Sequence, residues 1–139
     1  AEFLAGRDDV VSVNYAGLPG SPWHDRAKKL APKGTGAVLA FELAGGVEAG
    51  KAFVNALTLH SHVANIGDVR SLVIHPASTT HQQLSAEEQL ATGVTPGLVR
   101  LAVGIEGIDD ILADLERGFA AAKSVSEAEA SDPRAVAAF

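Results

Sequence analysis

Arg100 is the residue whose type and position most directly suggest chemistry. It lies in the middle of an apolar run, residues 98–103, which has the length and composition of a buried strand. Because successive side chains of a strand point to opposite faces, three apolar residues share one face of it: Val99, Leu101 and Val103. Arg100 shares the other face with the small residues Ala102 and Gly104. The pattern therefore predicts a single cation on a strand face that otherwise carries small residues.

Two roles are compatible with such an arginine. Its planar guanidinium can hold a carboxylate through two parallel hydrogen bonds, which suits recognition of an amino acid or another organic acid. It can equally form an internal ion pair with one of the 17 acidic residues of the chain. The residue types alone leave both roles open.

The glycine-rich stretch 45–51, GGVEAGK, is a second candidate for chemistry. It matches the first seven positions of the phosphate-binding loop G-x-x-x-x-G-K, and it lies between a predicted strand and a predicted helix. The next residue is Ala52, where Mg²⁺ binding needs Ser or Thr, and Glu48 would place a negative charge inside the loop. We therefore interpret the stretch as a turn into an ordinary helix, without nucleotide binding.

Four of the five histidines lie close together in the sequence: His60, His62, His75 and His81. The first two are two residues apart in an extended segment, so both could face one ion. Because the chain has no cysteine, a metal site would need three histidines, or two and a carboxylate, to converge. Neutral histidines that are hydrogen-bonded within the fold are the simpler interpretation, so we predict no metal site.

The composition limits the class of protein. The chain has 139 residues, about one domain, and 47% of them are hydrophobic, which is enough for a core. A net charge of −6 disfavours nucleic acid and anionic membranes as partners. No apolar run approaches the roughly 20 residues that span a bilayer, and the lack of cysteine suits the cytoplasm. We expect no nucleic-acid or membrane partner.

Strand and helix patterns alternate irregularly along the chain. Strands are predicted at 10–13, 37–43, 71–75 and 98–103, with a short extended segment at 58–62. Helices are predicted at 23–30 after a cap at Ser21, at 47–57, after the capping box of Ser85 and Glu88, and at 108–119. This order favours an α/β fold, a two-layer α+β sandwich whose mixed sheet has helices on one face. Residues 1–9 are interpreted as the end of a linking helix, 10–124 as the domain, and 125–139 as a mobile tail.

Several segments together resemble one known family. They are VNYAGLPGSPWHDRAKK at 13–29, HSHVANIGDVRSLVIHP at 60–76, HPASTTH at 75–81, SAEEQLATGVTPGLVRLAVGIE at 85–106 and IDDILADLERGF at 108–119. In content and order they resemble the C-terminal part of the O-acetylhomoserine sulfhydrylases. These are pyridoxal-phosphate (PLP) enzymes of the Cys/Met metabolism family. The resemblance extends to about residue 122 of the chain.

The resemblance implies a fold and a site. It implies the small C-terminal domain of a PLP fold-type I enzyme, which closes over the substrate while a large N-terminal domain holds the cofactor. It also implies that Arg100 binds the substrate α-carboxylate and that Asn65, in the turn before the 71–75 strand, contributes to the same site. Related γ-lyases and cystathionine synthases tend to have Ser at the position of Asn65, and some have Glu at that of Ala64. The residues present here therefore fit the sulfhydrylase branch.

The resemblance further implies an activity for the whole enzyme, which would be a homotetramer. It would make homocysteine from O-acetylhomoserine and sulfide, a step of methionine biosynthesis. PLP needs a lysine for its Schiff base, and none of the five lysines follows the Ser-x-x-Lys type of motif of the family: Lys28, Lys29, Lys33, Lys51 and Lys123. We therefore expect no catalytic, cofactor-binding or metal-binding residue in this chain, and no activity of the chain alone. The alternative is a free-standing domain that binds small carboxylates without catalysis.

Overall fold

The structure is a computed structural model that describes residues 1–131, with the side chain of residue 129 excepted throughout. Its helices are α1 (Glu2–Ala5), α2 (His24–Leu30), α3 (Gly46–Ala56), α4 (Ala86–Ala91) and α5 (Ile108–Ser131). Its strands are β1 (Val10–Asn14), β2 (Val38–Leu43), β3 (Ser61–His62), β4 (Leu72–Ile74) and β5 (Leu98–Ala102), and a 3₁₀ turn covers Pro76–Ser78. Within this described part, no helix is both long enough and apolar enough to cross a membrane.

The five strands form one mixed sheet in the order β1-β2-β5-β4-β3. Neighbouring strands are antiparallel except β3 and β4, which run parallel. Helices α3 and α5 pack against each other and against one face of the sheet. The predicted architecture, an α/β sandwich with a mixed sheet and helices on one face, is confirmed.

The core lies between the sheet and these two helices. Phe41 of β2, Phe53 of α3 and Phe119 of α5 are fully buried. The ring centroids are 5.5 Å apart for Phe41 and Phe53 and 4.9 Å apart for Phe53 and Phe119, in edge-to-face geometries that favour aromatic pairs. Val99 and Leu101 of β5 are buried in the same core. The predicted inward face of β5 is therefore confirmed, and the opposite face is the one that carries Arg100.

Most of the predicted elements agree with the structure to within about two residues at each end. The capping box that begins α4 is present, since Ser85 Oγ accepts from Glu88 N at 3.3 Å and Ser85 N donates to Glu88 Oε2 at 2.8 Å. Helix α2 differs slightly, because Trp23 takes the N-cap position. Ser21 Oγ instead accepts a hydrogen bond from Trp23 N at 3.3 Å and so closes the turn before the helix.

Two larger differences concern the segment 58–62 and helix α5. Only Ser61–His62 of that segment pairs as a strand, because the backbone N–H groups of residues 58–60 bind a side chain of α5. The last helix continues from residue 119 to Ser131, so residues 125–131 are helical where the sequence predicted the start of a tail. The rest of the predicted tail, 132–139, lies outside the described residues.

A close approach of α3 and α5 requires glycine at position 118. A Cβ built on Gly118 would lie 2.8 Å from ring atoms of Phe53 and 3.0 Å from Leu57 Cδ2. Distances this short force the aromatic ring out of the core packing that it shares with Phe119. The small residue at this point therefore sets how closely the two helices approach.

We predict that Gly118→Ala lowers the free energy of unfolding of the chain by roughly 1–2 kcal/mol. Alanine gains up to about 1 kcal/mol of helix propensity, but crowding of Phe53 costs typically 1–3 kcal/mol. The control is Gly20→Ala, where an added Cβ meets no atom within 4 Å, and which should change stability by less than about 0.5 kcal/mol. Urea denaturation of both variants measures this; a Gly118→Ala chain more stable than the parent would contradict it.

Candidate carboxylate-binding site

Arg100 occupies the middle of the central strand β5, between β2 and β4. Its backbone neighbours across the sheet are Ala40 of β2 and Ile74 of β4. Because Val99 and Leu101 point into the core below α3 and α5, the Arg100 side chain leaves the other face of the sheet. The structure thus gives the arginine the position that the alternation predicted.

The guanidinium of Arg100 contacts the turn that contains Asn65. Its Nη2 donates to Ala64 O at 2.9 Å and to Asn65 O at 3.3 Å. Its Nε is buried and has no hydrogen-bond partner among the described residues. No ion pair within residues 1–131 involves Arg100. The alternative of an internal ion pair is therefore not observed, and the arginine keeps donors for an anion.

The turn beside Arg100 is exposed and is shaped by one glycine. Residues 63–67 are all exposed, and Gly67 has a φ of +76°, which is costly for any residue with a Cβ. Just after the turn, Arg70 N donates to Asp68 Oδ1 at 2.9 Å and so closes the loop before β4. The structure brings Arg100 and Asn65 together, as the resemblance implied, on a surface that is open to a small ligand.

The buried carboxylate of Asp114 anchors the chain that leads into this turn. Its Oδ1 accepts from Thr58 N at 2.8 Å, and its Oδ2 accepts from Leu59 N at 3.1 Å and from His60 N at 3.0 Å. His60 Nδ1 lies 2.8 Å from the same Oδ2, and Arg117 Nη2 donates to Oδ1 at 2.9 Å. A carboxylate without exposed surface is tolerated here because every oxygen is hydrogen-bonded.

These bonds also determine the protonation of Asp114. Burial alone would raise the pKa of this carboxyl group, but the donors from Thr58, His60 and Arg117 outweigh it. They hold the pKa of Asp114 well below its ordinary value. Asp114 is therefore ionised throughout the physiological pH range and can accept from three consecutive backbone N–H groups.

A second carboxylate, Glu106, fixes the beginning of β4. Its Oε1 accepts from Ser71 N at 2.7 Å and its Oε2 from Ser71 Oγ at 2.8 Å, while Ser71 Oγ accepts from Gly104 N at 2.9 Å. Burial would raise the pKa of Glu106, but the hydrogen bonds from Ser71 lower it overall. The loop between β3 and β4 is thus held near both of its ends by carboxylates.

His75 fixes the turn that precedes β5. Its Nε2 lies 2.7 Å from Pro96 O, and its Nδ1 lies 2.8 Å from Ser78 Oγ. Burial lowers the pKa of His75, so the ring is neutral; since a carbonyl only accepts, the proton lies on Nε2. Gly50 of α3 makes room for the ring, because a Cβ there would lie 2.4 Å from Nε2.

Side chains of the clustered histidines and of the glycine-rich stretch form hydrogen bonds within the described structure. His60 is bonded to Asp114, His75 to Pro96, and His81 Nδ1 lies 2.8 Å from its neighbour Thr80. Residues 1–131 contain no group of three or more His, Asp or Glu side chains that could hold a metal ion. In the glycine-rich stretch, Lys51 Nζ donates to Glu48 at 2.7 Å, inside the first turns of α3.

The lysines do not fit a Schiff base with PLP in this chain. Lys51 and Lys123 belong to α3 and α5, on the face of the sheet opposite Arg100, and they are engaged with Glu48 and Glu127. The other three lysines are exposed in or just after α2: Lys28, Lys29 and Lys33. None of the five is buried in a cleft that could shield an imine from water.

Sequence reasoning missed Asp114 and Glu106. A signal for the first was present, because Asp114 lies three residues after Ile111 and next to Leu115, on the apolar stripe of α5. A charge on such a stripe indicates a buried hydrogen-bonding role. By contrast Ile108, the apolar residue that begins α5, is 63% exposed. No pattern in the sequence indicated that Glu106 binds Ser71.

Comparison with known proteins shows the family of the chain. The profile of the family described as Cys/Met metabolism PLP-dependent enzyme matches residues 1–120. The O-acetyl-L-homoserine sulfhydrylase of Corynebacterium glutamicum is 58% identical over 121 residues, which are 87% of this chain and 28% of that protein. The L-methionine gamma-lyase of Fusobacterium nucleatum is 49% identical over 117 residues, 84% of this chain and 29% of that protein.

A solved structure shows the same fold. The putative O-acetylhomoserine (thiol)-lyase of Campylobacter jejuni, which contains an N′-pyridoxyl-lysine-5′-monophosphate, matches with a TM-score of 0.77 and 38% identity. The match covers 86% of this chain and 28% of that one. The likeness confirms the expected fold class, and the chain spans under a third of the length of each of these three relatives.

We predict that Asp114→Asn destabilises the chain by about 2–4 kcal/mol at pH 7, because bonds from buried amides to a charge are lost. The pKa of Asp114 is lower in the folded than in the unfolded chain. Its stabilisation is therefore complete above about pH 4 and declines as the pH falls below that value. The difference between parent and variant should shrink accordingly between pH 7 and pH 3.

Urea denaturation at both pH values measures this difference. The control is Glu127→Gln, which removes an exposed carboxylate of α5 that lies 3.8 Å from Lys123. It should cost less than about 0.5 kcal/mol at either pH. A difference between parent and Asp114→Asn that stays constant from pH 7 to pH 3 would show that the ionised carboxylate is not the stabilising form.

Proposed function

Because the chain belongs to the Cys/Met metabolism family of PLP-dependent enzymes, we propose that it is the C-terminal part of an O-acetylhomoserine sulfhydrylase. In this proposal Arg100 binds the α-carboxylate of the amino-acid substrate. The observation that carries the proposal is the state of the guanidinium. Its Nε is buried without a partner, and it is held beside Asn65 with no acidic partner among residues 1–131.

The chemistry of this arrangement suits a carboxylate. A guanidinium presents its donors in a flat fork that matches two carboxylate oxygens, and charge-assisted bonds of this kind are about twice as strong as neutral ones. Nη2 of Arg100 is already directed by the carbonyls of Ala64 and Asn65, so the group is oriented before a ligand arrives. Asn65 adds a side-chain amide at the same exposed edge, which can donate to a carboxylate oxygen.

The sulfhydrylase reaction is favoured over the γ-lyase reaction by two observations. The identity to the sulfhydrylase of C. glutamicum, 58%, exceeds the 49% to the γ-lyase of F. nucleatum. The pair Ala64 and Asn65 also fits the sulfhydrylase branch. The reaction replaces the acetate of O-acetylhomoserine by sulfide and yields homocysteine, a step of methionine biosynthesis. PLP, when bound by the rest of the protein, supplies the electron sink for this substitution.

In this proposal the chain binds the substrate and closes over it. It orients the substrate through Arg100, while the remaining part of the protein provides the lysine and the PLP site. The full-length protein is proposed to be a cytoplasmic homotetramer that acts on small molecules. The alternative is a free-standing domain for small carboxylates. Its support is that Arg100 and its turn are complete within this chain.

We predict that the chain alone forms no specific adduct with PLP and makes no homocysteine. None of its lysines lies in a site that would favour an imine. Incubation with PLP, reduction with borohydride and mass spectrometry of the peptides test this. A single stoichiometric adduct at one lysine, or homocysteine formed from O-acetylhomoserine and sulfide, would contradict the prediction.

In the full-length protein, Arg100→Ala should lower kcat/KM for O-acetylhomoserine on the order of a hundredfold or more. Each bond between the guanidinium and the carboxylate contributes roughly 1.5–3 kcal/mol. Much of the loss should appear in KM, since the carboxylate is held in the ground state and the transition state alike. Arg100→Lys should recover only part of the loss, because an ammonium lacks the planar fork.

The control for this prediction is Arg26→Ala, which removes an exposed arginine of α2 and should leave kcat/KM unchanged. Melting temperature is measured on the same preparations, because the Arg100 side chain leaves the core face and its loss should change folding little. A lower melting temperature with an unaltered KM in the folded fraction would assign Arg100 to structure and would refute the proposed role.

A further inference from the structure

We propose that Asp114 is a positioning residue for the carboxylate site, which it orders through the backbone of residues 58–60. The inference rests on the proposed function, because it concerns the affinity of the same site. Asp114 lies on α5, whereas Arg100 leaves the sheet on the opposite face. Asp114 therefore acts through the chain that leads to Asn65 and makes no contact with the ligand.

The first step is the capture of three consecutive amides by one carboxylate. Thr58 N, Leu59 N and His60 N all donate to Asp114, and the Thr58 hydroxyl adds a bond at 3.2 Å. Three successive N–H groups that converge on one buried group leave the backbone between them little freedom. The side chains of Asp114 and His60 have no exposed surface, so water does not replace these bonds in the folded state.

The second step is the scarcity of other bonds on the way to the site. Strand β3 has two residues and pairs with β4 alone. Beyond the ladder, Ser61 N donates to Ser71 O at 2.9 Å, and Val63 N donates only within the segment, to Ser61 O at 3.0 Å. The turn after β3 is exposed, and within the described structure Arg100 is the one side chain from outside the loop that hydrogen-bonds to Ala64 or Asn65. The segment is thus fixed by Asp114 before β3, by Ser71 and β4 at β3, and by the guanidinium after it.

The third step links the position of residues 58–60 to the orientation of the Arg100 guanidinium. Ala64 follows His60 by only four positions, at most about 14 Å of extended chain. If the amides of residues 58–60 lose the carboxylate, they turn toward water, and the carbonyls of Ala64 and Asn65 shift with them. Because those carbonyls accept from Nη2, the guanidinium of Arg100 is then no longer held in one orientation. Carboxylate binding therefore weakens.

The test compares Asp114→Asn with Gly118→Ala in the full-length protein. Both changes are on α5 and both weaken the fold, but Gly118→Ala acts on the side chains of Phe53 and Leu57 and leaves the carboxylate of Asp114 in place. At a temperature where both variants are folded, Asp114→Asn should raise KM for O-acetylhomoserine about tenfold, with kcat within about twofold of the parent. Gly118→Ala should leave both constants unchanged.

Hydrogen exchange gives a readout that is independent of activity. Amides of residues 58–66 should exchange faster in Asp114→Asn than in Gly118→Ala or the parent protein. If the two variants have the same KM and the same exchange over this segment while Arg100→Ala still raises KM, the inference fails and the proposed function stands. If Arg100→Ala leaves KM unchanged, the proposed function fails, and the inference fails with it.

A milder variant keeps the test decisive if Asp114→Asn does not fold. His60→Leu removes the contact between His60 Nδ1 and Asp114 Oδ2 and keeps the three backbone bonds. It should raise KM by a smaller factor, about twofold to threefold, without a change in kcat. An unaltered KM in folded His60→Leu protein, together with unaltered exchange over residues 58–66, would overturn the positioning role.

Discussion

The structure depends on one constraint, which is that a strand covered by helices on one side must send every second residue to the other side. Val99 and Leu101 pack beneath α3 and α5 in the aromatic core, so Arg100 between them cannot enter that core. Hydrophobic burial holds the strand in place, and it fixes where the charge emerges. The binding face is thus a consequence of how the core is packed.

Two buried or partly buried carboxylates hold the loop that lies beside Arg100. Asp114 holds residues 58–60, and Glu106 holds Ser71, so the loop that carries Asn65 is fixed near both ends while its middle stays exposed. A loop of this kind combines a defined position with an accessible backbone, which a binding turn needs. Strand β3 has only two residues and few ladder hydrogen bonds, so the bonds to these carboxylates hold the segment instead.

Features that depend on residues close together in the sequence were predictable, and those that depend on distant residues were not. The face of Arg100 and the capping box of Ser85 were predictable because both depend on residues within a few positions of each other. The anchoring of Thr58 by Asp114 joins residues 56 positions apart, and no local pattern encodes such a pairing. The segment at 58–62 was predicted as extended, and only its last two residues pair as a strand. The contact between Arg100 and the Asn65 turn was reached through resemblance, since spacing alone left the partner of the arginine open.

The central claim is that Arg100 recognises the substrate carboxylate, and removal of the charge from both partners tests it most directly. KM and kcat/KM would be measured for O-acetylhomoserine and for its carboxamide analogue, with the full-length parent protein and with Arg100→Ala. The parent should prefer the carboxylate by on the order of a hundredfold, and the variant should show little preference, because the two changes remove the same interaction. An equal preference for the carboxylate in both proteins would contradict the claim.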